Sequence, residues 1–162
     1  MTDFGTGVQY RSIRPRGDRR PATKLRKLGR HYVIPSWHDV DSAIVAETST
    51  LSSSVIGYLG FETTKTNGVL MPNLQICEVV TDPTISDVDA DAIFIGLLRR
   101  VYGGFDLEKR GYLLAKVDGG DERTRRLLEA DGWIATSYRK DRSWIPYAWF
   151  AFDRFNKPVE GI

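Results

Sequence analysis

Residues 74–133 read LQICEVV (74–80), TDPTISDVDAD (81–91), AIFIGLLRRVYGGF (92–105), a polar link, GYLLAKV (111–117) and, after a turn, DERTRRLLEADGW (121–133). The pattern predicts strand, acidic turn, helix, strand, helix, the alternation of an α/β layer built on crossover units. In the first strand Leu74, Ile76, Glu78 and Val80 are expected on one side, with Gln75, Cys77 and Val79 on the other. Ser86 or Asp87 can cap the first helix, and acids in its first turn suit the helix dipole. Ala92, Ile95, Leu98 and Val101 form its apolar stripe, widened by Phe94, Leu97 and Tyr102. Gly103 and Gly104 end it. Tyr112–Val117 is nearly continuous in apolar residues, the pattern of a strand buried on both faces. Asp121 can cap the second helix, with Thr124, Leu127 and Leu128 inward and Asp131–Gly132 as its stop.

Upstream, Ala43–Thr48 and Val55–Phe61 suit two strands joined through a Ser-rich turn. Asn67–Gly68 is a hairpin-turn signal, since both residues tolerate positive φ. Strands near 55–62 and 74–80 are therefore expected as antiparallel neighbours. Residues 31–35 read as a short strand ending at Pro35. Downstream, Trp133–Lys140 and Trp144–Phe155 form an aromatic-rich closing hairpin, with Pro146 at an edge or bulge. Residues 156–162 are a polar tail.

With 162 residues and 41% hydrophobic content, one domain over residues 31–155 is expected. No apolar run is long enough for a membrane span. Cys77 is the lone cysteine, which excludes an internal disulfide framework and fits a reducing, cytoplasmic setting. Residues 11–30 hold nine Lys or Arg against one acid, a segment charge of +8, which leaves the rest of the chain at −6 against the net +2. Residues 1–30 lack apolar periodicity and read as a basic, partly disordered arm, with one or two helical turns in Ala22–Leu28. Such an arm suits electrostatic contact with nucleic acid or another polyanion, or with acids of the protein or a partner. The aromatic hairpin, with Trp144, Tyr147, Trp149, Phe150 and Phe152, offers a surface for a second copy or a protein partner. His31 and His38 are the two histidines. They fit no metal-ligand spacing, so no metal site is expected.

The order of elements resembles the GCN5-related N-acetyltransferase family. The residues that carry the resemblance are Val80-Thr81-Asp82-Pro83 after the central strand, the Leu97–Leu98 pair, and Leu127–Trp133. It covers residues 42–155 and implies a mixed, mostly antiparallel sheet flanked by helices. In that family acetyl-CoA lies where the fourth and fifth strands splay apart, and its pyrophosphate sits on amides of a Gly-rich loop at the next helix N-terminus. The resemblance places Cys77, Val79 and Val80 along the coenzyme arm and Asp121 at the position of a family asparagine. Leu128 stands at the position of the family's acidic tyrosine.

The loop here carries Asp87, Asp89 and Asp91 in place of the glycines, which repel a pyrophosphate. Asp-x-Asp-x-Asp departs from a calcium loop at Ala92 and Leu98. Glu78 or Glu62 could serve as general base and Tyr138 as acid. Two functions follow. One is transfer of an acyl group from a coenzyme A thioester to an amine. The other is a non-catalytic binding or assembly protein, as in phage-encoded relatives with degraded cofactor loops, whose basic segment meets nucleic acid or protein. The acyltransferase reading requires an open wedge between Ile76–Val80 and Leu113–Val117.

Overall fold

The computed structural model describes residues 7–35, 42–48, 54–64, 73–103, 113–140 and 146–152. They form β1 (Val8–Ser12), α1 (Arg19–Leu28), β2 (Arg30–His31), β3 (Ser42–Thr48), β4 (Ser54–Thr64), β5 (Asn73–Thr81), α2 (Asp87–Gly103), β6 (Leu113–Asp118), α3 (Glu122–Ala130), β7 (Ile134–Lys140) and β8 (Pro146–Phe152). The main path of the sheet runs β1-β3-β4-β5-β6-β8-β7, with β2 attached to β5 off that path. Among the described residues every pairing is antiparallel except β5 with β6.

The two faces of β3 show why these strands form. Ile44 and Ala46 join the core under α2, while Ala43 and Val45 join a second cluster under α1. Both faces are covered, so the strand is apolar at successive positions. The α2-side core is the larger and gathers Leu59, Leu74, Ile76, Val79, Phe94, Leu97, Leu113, Leu128 and Trp133.

Several expectations change. Residues 8–31 carry β1, α1 and β2, so the segment read as an arm is part of the fold from Val8 on. Ala22 and Leu25 are buried against Val45, Tyr58 and Val80, a two-residue apolar stripe too short to register as periodicity among so many charges. Residues 1–6 and 153–162 lie outside the described residues, as does the turn at Asn67–Gly68. The strand read at 31–35 is two paired residues, Arg30 and His31. In β5 the alternation flips, because Gly60 pairs Glu78 and Phe61 pairs Ile76, which leaves Cys77 as a bulge. Leu74, Ile76 and Val79 thus share the α2 side, while Val80 joins the α1 cluster.

The α2 stripe is turned by one position: Ile93 is buried and Ala92 is exposed. Four apolar residues in a row, 92–95, left its centre ambiguous. β6 alternates, with Leu113, Ala115 and Val117 buried and Leu114 and Lys116 partly open. β7 and β8 pair as expected; side chains beyond Ala135 lie outside the described residues, and with them the packing of the aromatic rings.

The caps follow the sequence closely. Ser86 Oγ accepts from the Asp89 amide at 3.2 Å and donates to its carboxylate at 2.8 Å, a reciprocal cap closed within one turn. Asp121 accepts from the Thr124 amide at 3.0 Å and from its hydroxyl at 2.7 Å, which satisfies an otherwise orphaned donor of the first turn. Gly132, at φ 96°, ends α3 in the left-handed region that favours glycine.

Candidate functional site

Among the described residues β5 and β6 pair only at Leu74–Leu113, Gln75–Leu114 and Ile76–Ala115. Beyond these residues the strands part, and the wedge anticipated from the sequence exists. It is not empty. Residues 30–35 run through it: Arg30 pairs with Thr81 and His31 with Val80. The Tyr32 amide then donates to the Val79 carbonyl at 3.1 Å, and the Ile34 amide to the Lys116 carbonyl at 2.8 Å. One segment is thereby hydrogen-bonded to both separated strands.

The Tyr32 and Val33 side chains are fixed on the α2 side. Tyr32 and Val33 are 4% and 3% exposed. The Tyr32 ring stacks on Phe94, and its hydroxyl donates to Asp91 Oδ1 at 3.1 Å. Burial pushes the Tyr32 phenol up to about 12, because a phenolate is poorly solvated there. Arg30 forms an ion pair with Asp87 at 2.7 Å. Arg123 of α3 bridges the same two acids, donating to Asp91 Oδ2 at 2.7 Å and lying 3.2 Å from Asp87 Oδ2. Arg123, then Arg30, hold the Asp87 carboxyl below its ordinary range through Coulomb attraction. Asp87, Asp89 and Asp91 are thus all used internally: Asp87 and Asp91 anchor the inserted segment and α3, and Asp89 completes the cap.

The α1 side is closed as well. Glu78 is 6% exposed. Its Oε2 accepts from Arg26 Nε of α1 at 2.7 Å, and its Oε1 lies 3.9 Å from His31 Nδ1. Arg26 also lies over the Tyr58 ring, 5.4 Å from its centroid, within reach of a cation–π contact. Burial penalises the Arg26 charge, but the Glu78 hydrogen bond and charge outweigh it and raise the guanidinium pKa.

The other candidates are dispersed. Glu62 stands opposite Gln75, on the zipped side of the parting. Tyr138 shares a backbone row with Ala148 and Val117, across the open part of β6; its side chain lies outside the described residues. Asp121 spends its acceptors on the α3 cap. Leu128 is fully buried. Among the described residues no group of three or more His, Cys, Asp or Glu could hold a metal ion.

A crossover sheet whose one parallel pair parts beyond three residues, with a helix opening on that gap, decides the architecture. The chain has the GCN5-related N-acetyltransferase (GNAT) fold. It is similar to an N-acetyltransferase from Staphylococcus aureus, with a TM-score of 0.70 and 10% identity over 92% of this chain and 99% of that one. It is similar also to NAA60 of Arabidopsis thaliana, solved in complex with acetyl-CoA (TM-score 0.65, 11% identity, 90% and 97% covered). A third likeness is to the ribosomal-protein-alanine N-acetyltransferase of Brucella melitensis (TM-score 0.59, 14% identity, 89% and 98% covered). No protein-family model and no curated protein sequence matches the chain.

Two positions that the GNAT resemblance assigns to the coenzyme are taken here by the chain's own residues. The β5 edge at Val79–Thr81, where a pantetheine arm would pair, is already paired to Arg30–Tyr32. The α2 N-terminus, where a pyrophosphate would sit, presents Asp87 and Asp91 already held by arginines. The expected contact of the basic segment with acids of the protein is made by Arg26 on Glu78 and Arg30 on Asp87, whereas Tyr32 and Arg123 were missed. The apolar run Tyr32-Val33-Ile34 before Pro35 was the available signal for an inserted strand. No local pattern names which strands receive it.

Proposed function

We propose that this protein is a GNAT-fold binding protein whose coenzyme cleft is filled by its own chain and which does not transfer acyl groups. One observation carries this: residues 30–34 hydrogen-bond to Val79 on one side of the wedge and to Lys116 on the other. Burial of Tyr32 and Val33 contributes about 1.5–3 kcal/mol each. Opening the wedge by expelling both would therefore lower an acyl-CoA affinity by roughly 10²–10⁴-fold. An intrinsic Kd of ~1 µM would read as ~0.1–10 mM.

The test is calorimetric titration of the intact chain with acetyl-CoA, beside a Tyr32→Ala variant. Binding no tighter than ~0.1 mM in the unaltered chain, and no acetylation of an amine by either protein, is the expected result. Micromolar binding to the unaltered chain would overturn the proposal. A second reading, an acyltransferase that opens, is favoured by one feature: Glu78 stands on β5 beside the gap, where a base for an amine would be needed. Under that reading Tyr32→Ala acetylates an amine acceptor.

A further inference from the structure

Of the nine basic residues in 11–30, three are committed to the fold: Arg11 to Asp18 and Glu47, Arg26 to Glu78, and Arg30 to Asp87. Among the described residues, Arg16, Arg19, Arg20, Lys24 and Lys27 make no ion pair, and all five are exposed. Helical periodicity explains the division. Ala22 and Leu25 point α1 into the sheet. Arg20, Lys24 and Lys27, at i, i+4 and i+7, centre on the opposite side. Arg20 and Lys27 are separated by ~10 Å along the axis. The fold fixes this row, because Arg26 ties the helix to β5 and Asp18 ties its start to Arg11.

We infer that the outer face of α1 binds the phosphate backbone of double-stranded nucleic acid, without sequence preference. This rests on the reading of the chain as a binding protein and names the partner class. Charge complementarity supplies the argument, and what surrounds the charges narrows it. A helix that lies on a membrane needs a broad free apolar face. The apolar face of α1 is already buried, and Leu28 is its one exposed large hydrophobic residue. A protein interface of ordinary strength needs several aromatic or aliphatic anchors at its centre, and Arg20, Lys24 and Lys27 adjoin one, Leu28. Single strands are held by stacking bases on aromatic rings, and α1 carries no aromatic residue. What remains is a rigid row of cations, which suits a rigid row of phosphates.

The experiment measures fluorescence anisotropy of a labelled 20-base-pair DNA duplex between 50 and 200 mM NaCl. It compares the intact chain with the triple variant Arg20→Gln, Lys24→Gln, Lys27→Gln. All three positions are exposed, and an unchanged Tm verifies that the variant is folded. The intact chain should bind with a log–log salt slope of about −3 to −5. The variant should bind more weakly with a slope shallower by about 3, a deficit about 60-fold larger at 50 than at 200 mM NaCl. Absence of binding at 50 mM salt, or equal binding and slope in the folded variant, would overturn the inference. So would phosphatidylserine vesicles being bound in place of the duplex. The coenzyme titration fails or succeeds separately, so a chain that binds neither ligand loses this face as a nucleic-acid site and keeps its non-catalytic reading.

Discussion

The rings of Tyr32 and Phe94 lie one on the other, with centroids 4.3 Å apart and planes 8° from parallel. This contact joins a residue of the inserted segment to the middle of α2, so the segment is part of the core. Tyr32→Ala should therefore destabilise the protein by about 3–5 kcal/mol, as truncation of buried aromatics does. Tyr32→Phe keeps the stacked ring and loses only the hydrogen bond to Asp91, so it should cost about 0.5–1.5 kcal/mol. Urea unfolding of the two variants gives the comparison. A Tyr32→Ala cost below ~1 kcal/mol would mean that the segment rests on the wedge without filling it.

Alkaline titration reports on the same ring. The folded Tyr32 phenol titrates near 12, above its ordinary 10.0, chiefly because burial disfavours the phenolate. A raised folded pKa means that its contribution is fully present below pH 10 and is lost as the pH climbs from about 10 through 12. Burial also raises Tyr10 and Tyr58, so all three share the loss. Tm should fall over that range, and Tyr32→Phe should make the fall shallower without abolishing it. An identical alkaline profile in the variant would place Tyr32 in contact with water.

The ion pair of Arg26 with Glu78 is lopsided: the Arg26 side chain is 48% exposed and that of Glu78 only 8%. Removing the arginine leaves a buried carboxylate without its hydrogen-bonded cation, whereas removing the glutamate leaves a cation that water can reach. Arg26→Ala should thus be the costlier change, by about 1–2 kcal/mol relative to Glu78→Ala. Thermal or urea unfolding of the two single variants decides the order. The double variant shows whether the Arg26 penalty vanishes once Glu78 is gone. Reversal of the order would show that Arg26 acts by packing on Tyr58 and not by charge.

How far the sequence could be read depended on whether each feature was local. The caps at Ser86 and Asp121, the stop at Gly132 and the antiparallel neighbours β4 and β5 are set by residues a few positions apart, and they were legible. The Cys77 bulge was not. It depends on how two strands match in length, and it inverts which side Val79 and Val80 face relative to Leu74 and Ile76. α1 was half legible: its basic residues mask an inward stripe of only Ala22 and Leu25. The acids at 87, 89 and 91 were legible as an acidic turn at the start of α2. Their partners, Arg30 and Arg123, come from remote segments, so their role as anchors emerged only in three dimensions.

Gly29 is the joint between α1 and the inserted segment. Its amide donates to the Leu25 carbonyl at 2.6 Å, and the next residue enters β2. Its dihedrals, φ -78° and ψ 175°, suit any residue, so the demand for glycine is one of space. A Cβ there would lie 2.6 Å from the Leu25 carbonyl oxygen and 2.8 Å from that of Thr81, both main-chain atoms that cannot swing away. Gly29→Ala must push β2 off β5 or unwind the end of α1, at about 1–3 kcal/mol. Gly17→Ala is the matched control, since a Cβ at Gly17 meets nothing within 4 Å. It should stay within about 0.5 kcal/mol of the parent. Hydrogen exchange locates the damage. The Tyr32 and Ile34 amides, which bridge the two strands, should lose protection in Gly29→Ala and keep it in Gly17→Ala. Equal Tm and equal protection in both variants would mean that the segment holds its place in the wedge without this joint.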